Sequence, residues 1–496
     1  VPFVTTAWCS MKPNPTPPGT ADAASRWFLC EPAQNGQPKH PPPSFIRWPA
    51  APTPAVSKLS AEIEPAFQVR PTYAGELALA KRFCERFRGD EQFRLSLQEQ
   101  PEQTLAQAGF PFQPEQVRPL YEVAFPGEPS LLARRVQALH QEKLSWRETL
   151  RKNMRLASPG LDAWRQRQMQ RCSWQLGARN AEAIVHPPAA FELSRGCSVG
   201  CWFCGVSAAK LRDHWLASPD NLKLWKEVLE VVAEITGPAG AYSFLYWATD
   251  PLDNPDYEHF CEQFRGVFGQ FPQTTTALAL RDVERTRRFL RLSEEHGSPM
   301  DRFSVLTLKQ LNRIHQEFSP EELLHVELVT QNKESLGVQS AAGKALGKGK
   351  ADSTHATTIA CISGFLFNMP DRSVRLISPC PSSERYPDGY ITYRQEIFRD
   401  SLHLREILKE WCDLPLRLRL HDRPRWREDL TCLPGPDGFL LKDPYQARSF
   451  RGSPALAELG RLVGELTVEE LCLQVPQEPA WTMLTLQRLY EGAFFA

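Results

Sequence analysis

The chain has 496 residues, and its 58 Lys+Arg balance 58 Asp+Glu to a formal net charge of zero, which gives it no general pull toward nucleic acid or an anionic membrane. Hydrophobic residues make up 42% and charged residues 23%, an ordinary balance for a globular protein with room for two or three domains. Thirteen cysteines spread over so long a chain exclude a secreted disulfide framework and suit a reducing cytoplasm, where thiolates hold metal.

No run of about 18 apolar residues occurs, so no membrane span is expected. The first residues lack the basic start and apolar centre of a signal peptide. Residues 1–72 are Pro-rich, with Pro15, Pro17, Pro18 and Pro41 to Pro43 among them. Proline opposes both helix and central strand, so this segment is expected to be irregular, either draped on the domains behind it or a tail. Residues 73–186 form a helical region. Leu77, Phe83, Phe93, Leu97 and Leu105 recur at helical spacing, with breaks at Gly89-Asp90 and Ala108-Gly109. The stretch 131–179 is rich in Arg and Lys. Such a helix can meet RNA or an acidic peptide, but is more commonly a solvated face.

From 187 to 395 strand-like and helical runs alternate. Strands are expected at 190–193, 242–247, 275–280, 303–306, 326–329, 359–367 and 374–377. Helices are expected at 224–235, 257–268, 283–292 and 308–315, with a helical piece at 320–324. This alternation argues for a parallel sheet, open or closed into a barrel, with chemistry at the C-terminal strand ends. The loop 337–357 holds Gly343-Lys344, Gly347-Lys348 and Gly349-Lys350. It lacks the Walker spacing and reads as a mobile loop, either a lid or an insertion. Residues 396–496 comprise a helical linker and a small domain: a hairpin around 433–439, then helices at 456–463, from Thr467 (capping box with Glu470) and at 481–489. A hairpin with three short helices suggests a winged helix.

The chemistry-bearing segment is Ser194-Arg195-Gly196-Cys197-Ser198-Val199-Gly200-Cys201-Trp202-Phe203-Cys204-Gly205. Cys197, Cys201 and Cys204 lie directly after the first strand, and the glycines let the backbone wrap around a metal group. Three thiolates can hold a [4Fe–4S] cluster and leave one iron open. The competing reading is a zinc site, with His214 as fourth ligand in a binding module without turnover.

Cys-x3-Cys-x-aromatic-Cys after the first strand of an α/β barrel resembles the signature of the radical S-adenosylmethionine (SAM) superfamily. The resemblance implies an α/β fold with a partial (β/α)6 barrel, flanked by the N-terminal helical region and the winged-helix-like domain. It implies SAM chelated by the open iron, cleaved by one electron, and a radical that abstracts a substrate hydrogen. Phe203 takes the aromatic slot near the adenine. Ala248, Thr249 and Asp250, followed by Pro251, stand where many members carry Gly-Gly-Glu-Pro, departing at the glycines and with Asp for Glu. Thr275 and Thr276, then Arg302 and Ser304, occupy strand positions where polar SAM contacts fall.

Three strings, 194–205, 247–258 and 373–381, further resemble radical SAM maturases of ribosomally made peptides, in the group whose precursors carry nitrogen-fixation-type leaders. That group includes the spliceases, which excise a tyramine unit. Residues 80–120 resemble such a leader, and the C-terminal domain resembles a leader-recognition element that adds a peptide as a strand. The resemblance implies a precursor peptide bound through its leader, a flavodoxin- or ferredoxin-type electron donor, a small accessory protein, and neither membrane nor nucleic acid as partner. The alternative substrate is a small molecule or RNA. Cys361 and Cys380 are candidates for an auxiliary Fe–S cluster or, with Tyr390, for closing the radical cycle; either cysteine can equally be just buried.

Overall fold

The computed structural model describes residues 71–122, 125–298, 300–337, 340–347, 358–443 and 446–496. The Pro-rich segment 1–70 and residues 348–357 of the Gly/Lys-rich loop lie outside the described residues. The described chain is a mixed α/β protein of many helices and several sheets.

Four helices come first: α1 Pro71–Gly89, α2 Glu91–Glu99, α3 Pro101–Gln107 and α4 Pro114–Val117. The carboxylate of Asp90 caps α2 by accepting from the Phe93 N–H at 3.0 Å. Phe83 packs edge-on against Phe93 and Phe110, and with Leu97 and Leu105 these rings form a core of their own. Two long helices follow, α5 Leu131–Asn153 and α6 Pro159–Glu182, the second interrupted at Gly177 with φ 72°. Lys81 and Arg82 of α1 donate to the carbonyls of Val326, His315 and Phe318, which seats the helical unit on the α/β part.

The α/β part contains β1 Ala189–Glu192, the short pair β2 Ser194–Arg195 and β3 Asp213–His214, then β4 Thr275–Thr276, β5 Asp301–Val305, β6 Val326–Thr330, β7 Gly364–Asn368, β8 Ser373–Pro379 and β9 Tyr390–Ile397. Helices α7 Pro219–Thr236, α8 Tyr257–Phe268, α9 Val283–Glu295, α10 Leu308–Glu317 and α11 Ser401–Cys412 cover it. Two parallel ladders form separately: β1 beside β7, and β4-β5-β6. One parallel bridge, Ala190 to Phe244, extends the first toward the second. Strands β8 and β9 continue outward from β7 in antiparallel fashion.

Three strand expectations change here. Residues 242–247 make only the Phe244 bridge, because Gly237–Tyr242 is wound into a 3-10 helix that begins with Gly237-Pro238. The strand at 275–280 stops after Thr276, whose hydroxyl accepts the Leu278 N–H at 2.9 Å and turns the chain. Residues 359–363 stay outside β7, which begins at Gly364, where a Cβ would lie 1.9 Å from the Pro188 carbonyl oxygen. The piece at 320–324 is a turn rather than a helix. Strand β9 was not foreseen at all. The main core joins Phe191, Trp225, Phe260 and Phe367 with Leu404 and Trp411 of α11.

The chain ends in a three-stranded sheet, β10 Thr431–Pro434, β11 Gly438–Lys442 and β12 Ala447–Arg451, followed by α12 Pro454–Leu462, α13 Val468–Gln474 and α14 Pro479–Glu491. The hairpin pairs Leu433 with Leu440. The Thr467 capping box is formed, with Thr467 N–H donating to Glu470 Oε2 at 2.8 Å. Trp174 of α6 reaches into this module and meets Phe494 edge-on at 5.0 Å. No described helix is long and apolar enough to cross a membrane.

Candidate functional site

The cysteine loop runs between β2 and β3, which clamp its two ends. Gly196 adopts φ 87°, and a Cβ there would lie 2.5 Å from the Lys210 carbonyl oxygen, so only glycine fits. The Cys197 N–H donates to the Ala209 carbonyl at 2.9 Å, and the Leu211 N–H to the Cys197 carbonyl at 3.1 Å. The Ala208 N–H points at Cys204 Sγ, 3.3 Å away. Phe203 is buried while Trp202 is exposed, the two rings meeting edge-on.

Burial pushes the Cys197 thiol up to about 11, with the nearby carboxylates of Asp250 and Asp253 adding to it. Burial also raises Cys201, and Cys204 beside it raises it further. Thiols so placed ionise readily only when a cation takes them up. Among the described residues no three His, Cys, Asp or Glu side chains stand close enough to hold a metal ion, so the three sulfurs do not meet at one point in this structure. The donor set still fits an iron–sulfur group: three soft thiols on one short loop, with the Ala208 N–H directed at Cys204 Sγ. His214 does not join them. Its Nδ1 shares a hydrogen bond with Ser194 Oγ at 3.1 Å.

The segment after Phe244 braces this loop. The carboxylate of Asp250 is buried and accepts from Thr276 Oγ1 at 2.7 Å, Ala277 N–H at 2.7 Å and Leu252 N–H at 3.0 Å. Burial outweighs these bonds and pushes its carboxyl up to about 6. So the structure brings Asp250 and Thr276 together, but uses both internally. The Ala248 N–H donates to Glu192 Oε1 at 2.9 Å, and Ala248 packs in the same apolar cluster as Cys204 and Tyr390. The Thr249 hydroxyl reaches only the Asp250 carbonyl, at 3.4 Å.

Arg302 and Ser304 are buried on β5. The Arg302 guanidinium donates to Glu327 Oε2 at 2.7 Å and to Gln273 Oε1 at 3.3 Å, and Lys143 of α5 pairs with the same carboxylate. The basic helix is therefore not simply a solvated face. Tyr246 joins through Gln273 and Thr275, each 2.8 Å from its hydroxyl. Cys361 lies near this network: burial raises its thiol, opposed by Arg302. Cys380 sits elsewhere, near Arg171 and Cys172, and burial pushes it up to about 12. Tyr390 accepts from Arg375 at 3.2 Å and lies edge-on to Trp247.

Two residues of the site escaped the sequence reading. Glu192 ends β1, and its buried carboxylate holds Ala248 and Asn368. Asp253 lies in the string that carried the resemblance, but its contacts are tertiary. A charged residue ending an apolar strand was the available signal for Glu192.

A relative shares 37% identity over 431 residues, covering 82% of this chain and 83% of its own length: the uncharacterized protein y4wI of Sinorhizobium fredii strain NGR234. The chain belongs to the y4wI family. No protein-family model matches it. Among solved structures, the y4wI-family chain is similar to BtrN in complex with AdoMet and 2-DOIA, at 15% identity and a TM-score of 0.28, covering 38% of this chain and 72% of that one. So loose a likeness bears no weight on fold or function.

Proposed function

We propose that this chain is a radical SAM enzyme that modifies a ribosomally made precursor peptide. The observation that carries the reading is the Cys-x3-Cys-x2-Cys loop placed at the C-terminal end of β1, closed at its base by the β2–β3 pair. A [4Fe–4S] cluster held by Cys197, Cys201 and Cys204 would supply the electron that cleaves bound SAM. The chain's own part is to hold the ligands and exclude water. Phe203 and Ala248 border the loop with apolar surface, and Lys344 N–H and Nζ donate to the carbonyls of Cys204 and Ala208 at 2.9 and 2.6 Å, closing the loop's other side. Sealing of this kind protects reactive species from side reactions.

The peptide substrate rests on the strings at 194–205, 247–258 and 373–381 and on the C-terminal module. In that module β10 and β12 are sheet edges, the element to which an extended leader can add a strand. Splicease-type excision and the electron donor belong to the same reading.

The test is anaerobic. Protein reconstituted with iron and sulfide is given SAM and dithionite, and 5′-deoxyadenosine is measured. Formation of deoxyadenosine, lost in Cys201→Ala, is expected. Tightly bound zinc without deoxyadenosine would refute the reading. Mass change in a co-expressed short peptide encoded beside the gene tests the substrate class; modification of a small molecule or RNA instead would overturn it.

A further inference from the structure

A loop that offers three sulfurs to one metal group needs its backbone held, and beside the β2–β3 pair and Lys344 one short segment contributes to this here. Asp253 has a side chain with 0% exposure. Its Oδ2 accepts the Ser198 N–H at 2.8 Å and its Oδ1 accepts the Ser198 hydroxyl at 2.6 Å. The next residue, Asn254, donates to the carbonyls of Leu193 and Trp215 at 2.8 and 2.9 Å, one on each side of the loop. Asp256 accepts the Ala217 N–H at 2.7 Å. One stretch of four residues thereby holds the chain just before the cysteine loop, near its start and just after it.

We propose that Asp253 is the positioning residue of the cysteine loop, acting through Ser198 to orient Cys197 and Cys201 toward a shared metal group. This rests on the reading of that loop as a metal centre. Ser198 directly follows Cys197, so holding its N–H and hydroxyl together fixes the peptide plane that joins the two residues. It also sets where the turn through Gly200 begins. A carboxylate beside thiolates is electrostatically costly, and Arg281 answers that cost: its Nη1 donates to Asp253 Oδ1 at 2.8 Å, and its Nη2 to the Leu252 carbonyl. The clamp therefore accepts two hydrogen bonds from the loop while Arg281 offsets its charge. Partners of this kind, one shell behind the ligands, typically govern metal affinity by about 10–100-fold.

The test uses the full chain and reads metal retention rather than turnover. Wild type, Ser198→Ala, Asp253→Ala, Arg281→Gln and the Ser198→Ala/Asp253→Ala double variant are reconstituted anaerobically. Iron per chain, the rate of iron loss to a chelator and the electron paramagnetic resonance spectrum of the reduced protein are then recorded. Thermal melting of the metal-free proteins shows that each is folded. Asp253→Ala is expected to lose iron on the order of tenfold faster, with an altered spectrum. Ser198→Ala should show a smaller change, and the double variant should be no worse than Asp253→Ala, because both act through one contact. Wild-type retention and spectrum in folded Asp253→Ala and Ser198→Ala would overturn the proposal. If Asp253→Ala does not fold, Ser198→Ala and Arg281→Gln decide it by the same readings. If the wild type holds zinc instead of iron, the radical-enzyme reading fails, and the same chelator assay on zinc decides the clamp separately. A wild type that holds neither metal sinks both.

Discussion

Buried carboxylates are where single residues have most to say. Asp301 begins β5 out of water and accepts from the Thr274 N–H and the Ser293 hydroxyl. Burial, the dominant cause, pushes its carboxyl from 3.8 up to about 6. A raised carboxyl means that the folded state binds the proton more tightly than the unfolded state. The contribution therefore favours folding as pH drops from 7 toward 4 and is lost as pH rises through 6. The span corresponds to on the order of 3 kcal/mol. Denaturant unfolding of wild type and Asp301→Asn across pH 4 to 8 should show that part of the pH dependence only in the wild type. Gly343 offers a second residue-level check. It has φ 58°, and a Cβ there would lie 2.4 Å from the Cys204 carbonyl oxygen. Gly343→Ala is expected to cost on the order of 1–3 kcal/mol and to speed protease cleavage within 340–347.

Among the elements, α5 is tied to β6 by an ion pair. Lys143 from the helix and Arg302 from β5 converge on Glu327 of β6, and both cations hold its carboxyl well below the usual range against burial. Burial in turn lowers Lys143 to about 8. Removing the shared anion deprives Lys143 and Arg302 of the carboxylate on which both converge. Glu327→Gln is therefore expected to destabilise by about 3–5 kcal/mol, read as a lowered urea midpoint. Lys143→Met should cost less, since Arg302 still pairs with Glu327. Little loss in either variant would show that the helix is held by its apolar contacts alone.

For the whole molecule, the question is how the C-terminal module is joined to the α/β part. Helix α6 serves both. Cys172 and Arg171 face the Pro379 carbonyl at the end of β8, at 3.1 and 2.7 Å. Trp174, two to three residues on, is buried among Phe494, Leu441 and their neighbours. Trp174→Ala opens a cavity worth about 3–5 kcal/mol, and limited proteolysis should then release 415–496 as a fragment. If the cysteine loop holds iron as proposed, iron content should be unchanged, because Trp174 packs in the C-terminal core.

The sequence by itself determined most of the helices and the spacing of the loop's cysteines. Helical periodicity at Leu77, Phe83 and Leu97, the Thr467–Glu470 capping box and the 433–439 turn depend on neighbours within a few residues, and the structure forms each of them. The spacing of Cys197, Cys201 and Cys204 is likewise a local property of the chain. Tertiary structure alone decided what surrounds that loop. Asp253 and Ser198 are 55 positions apart, Lys143 and Glu327 are 184 apart, and no short pattern encodes either meeting. It also decided which apolar runs became strands. At 242–247 and 275–280 the local preference for extended chain yielded to a 3-10 turn and to side-chain hydroxyls that claimed backbone N–H groups, because a ladder forms only where a partner strand arrives in register.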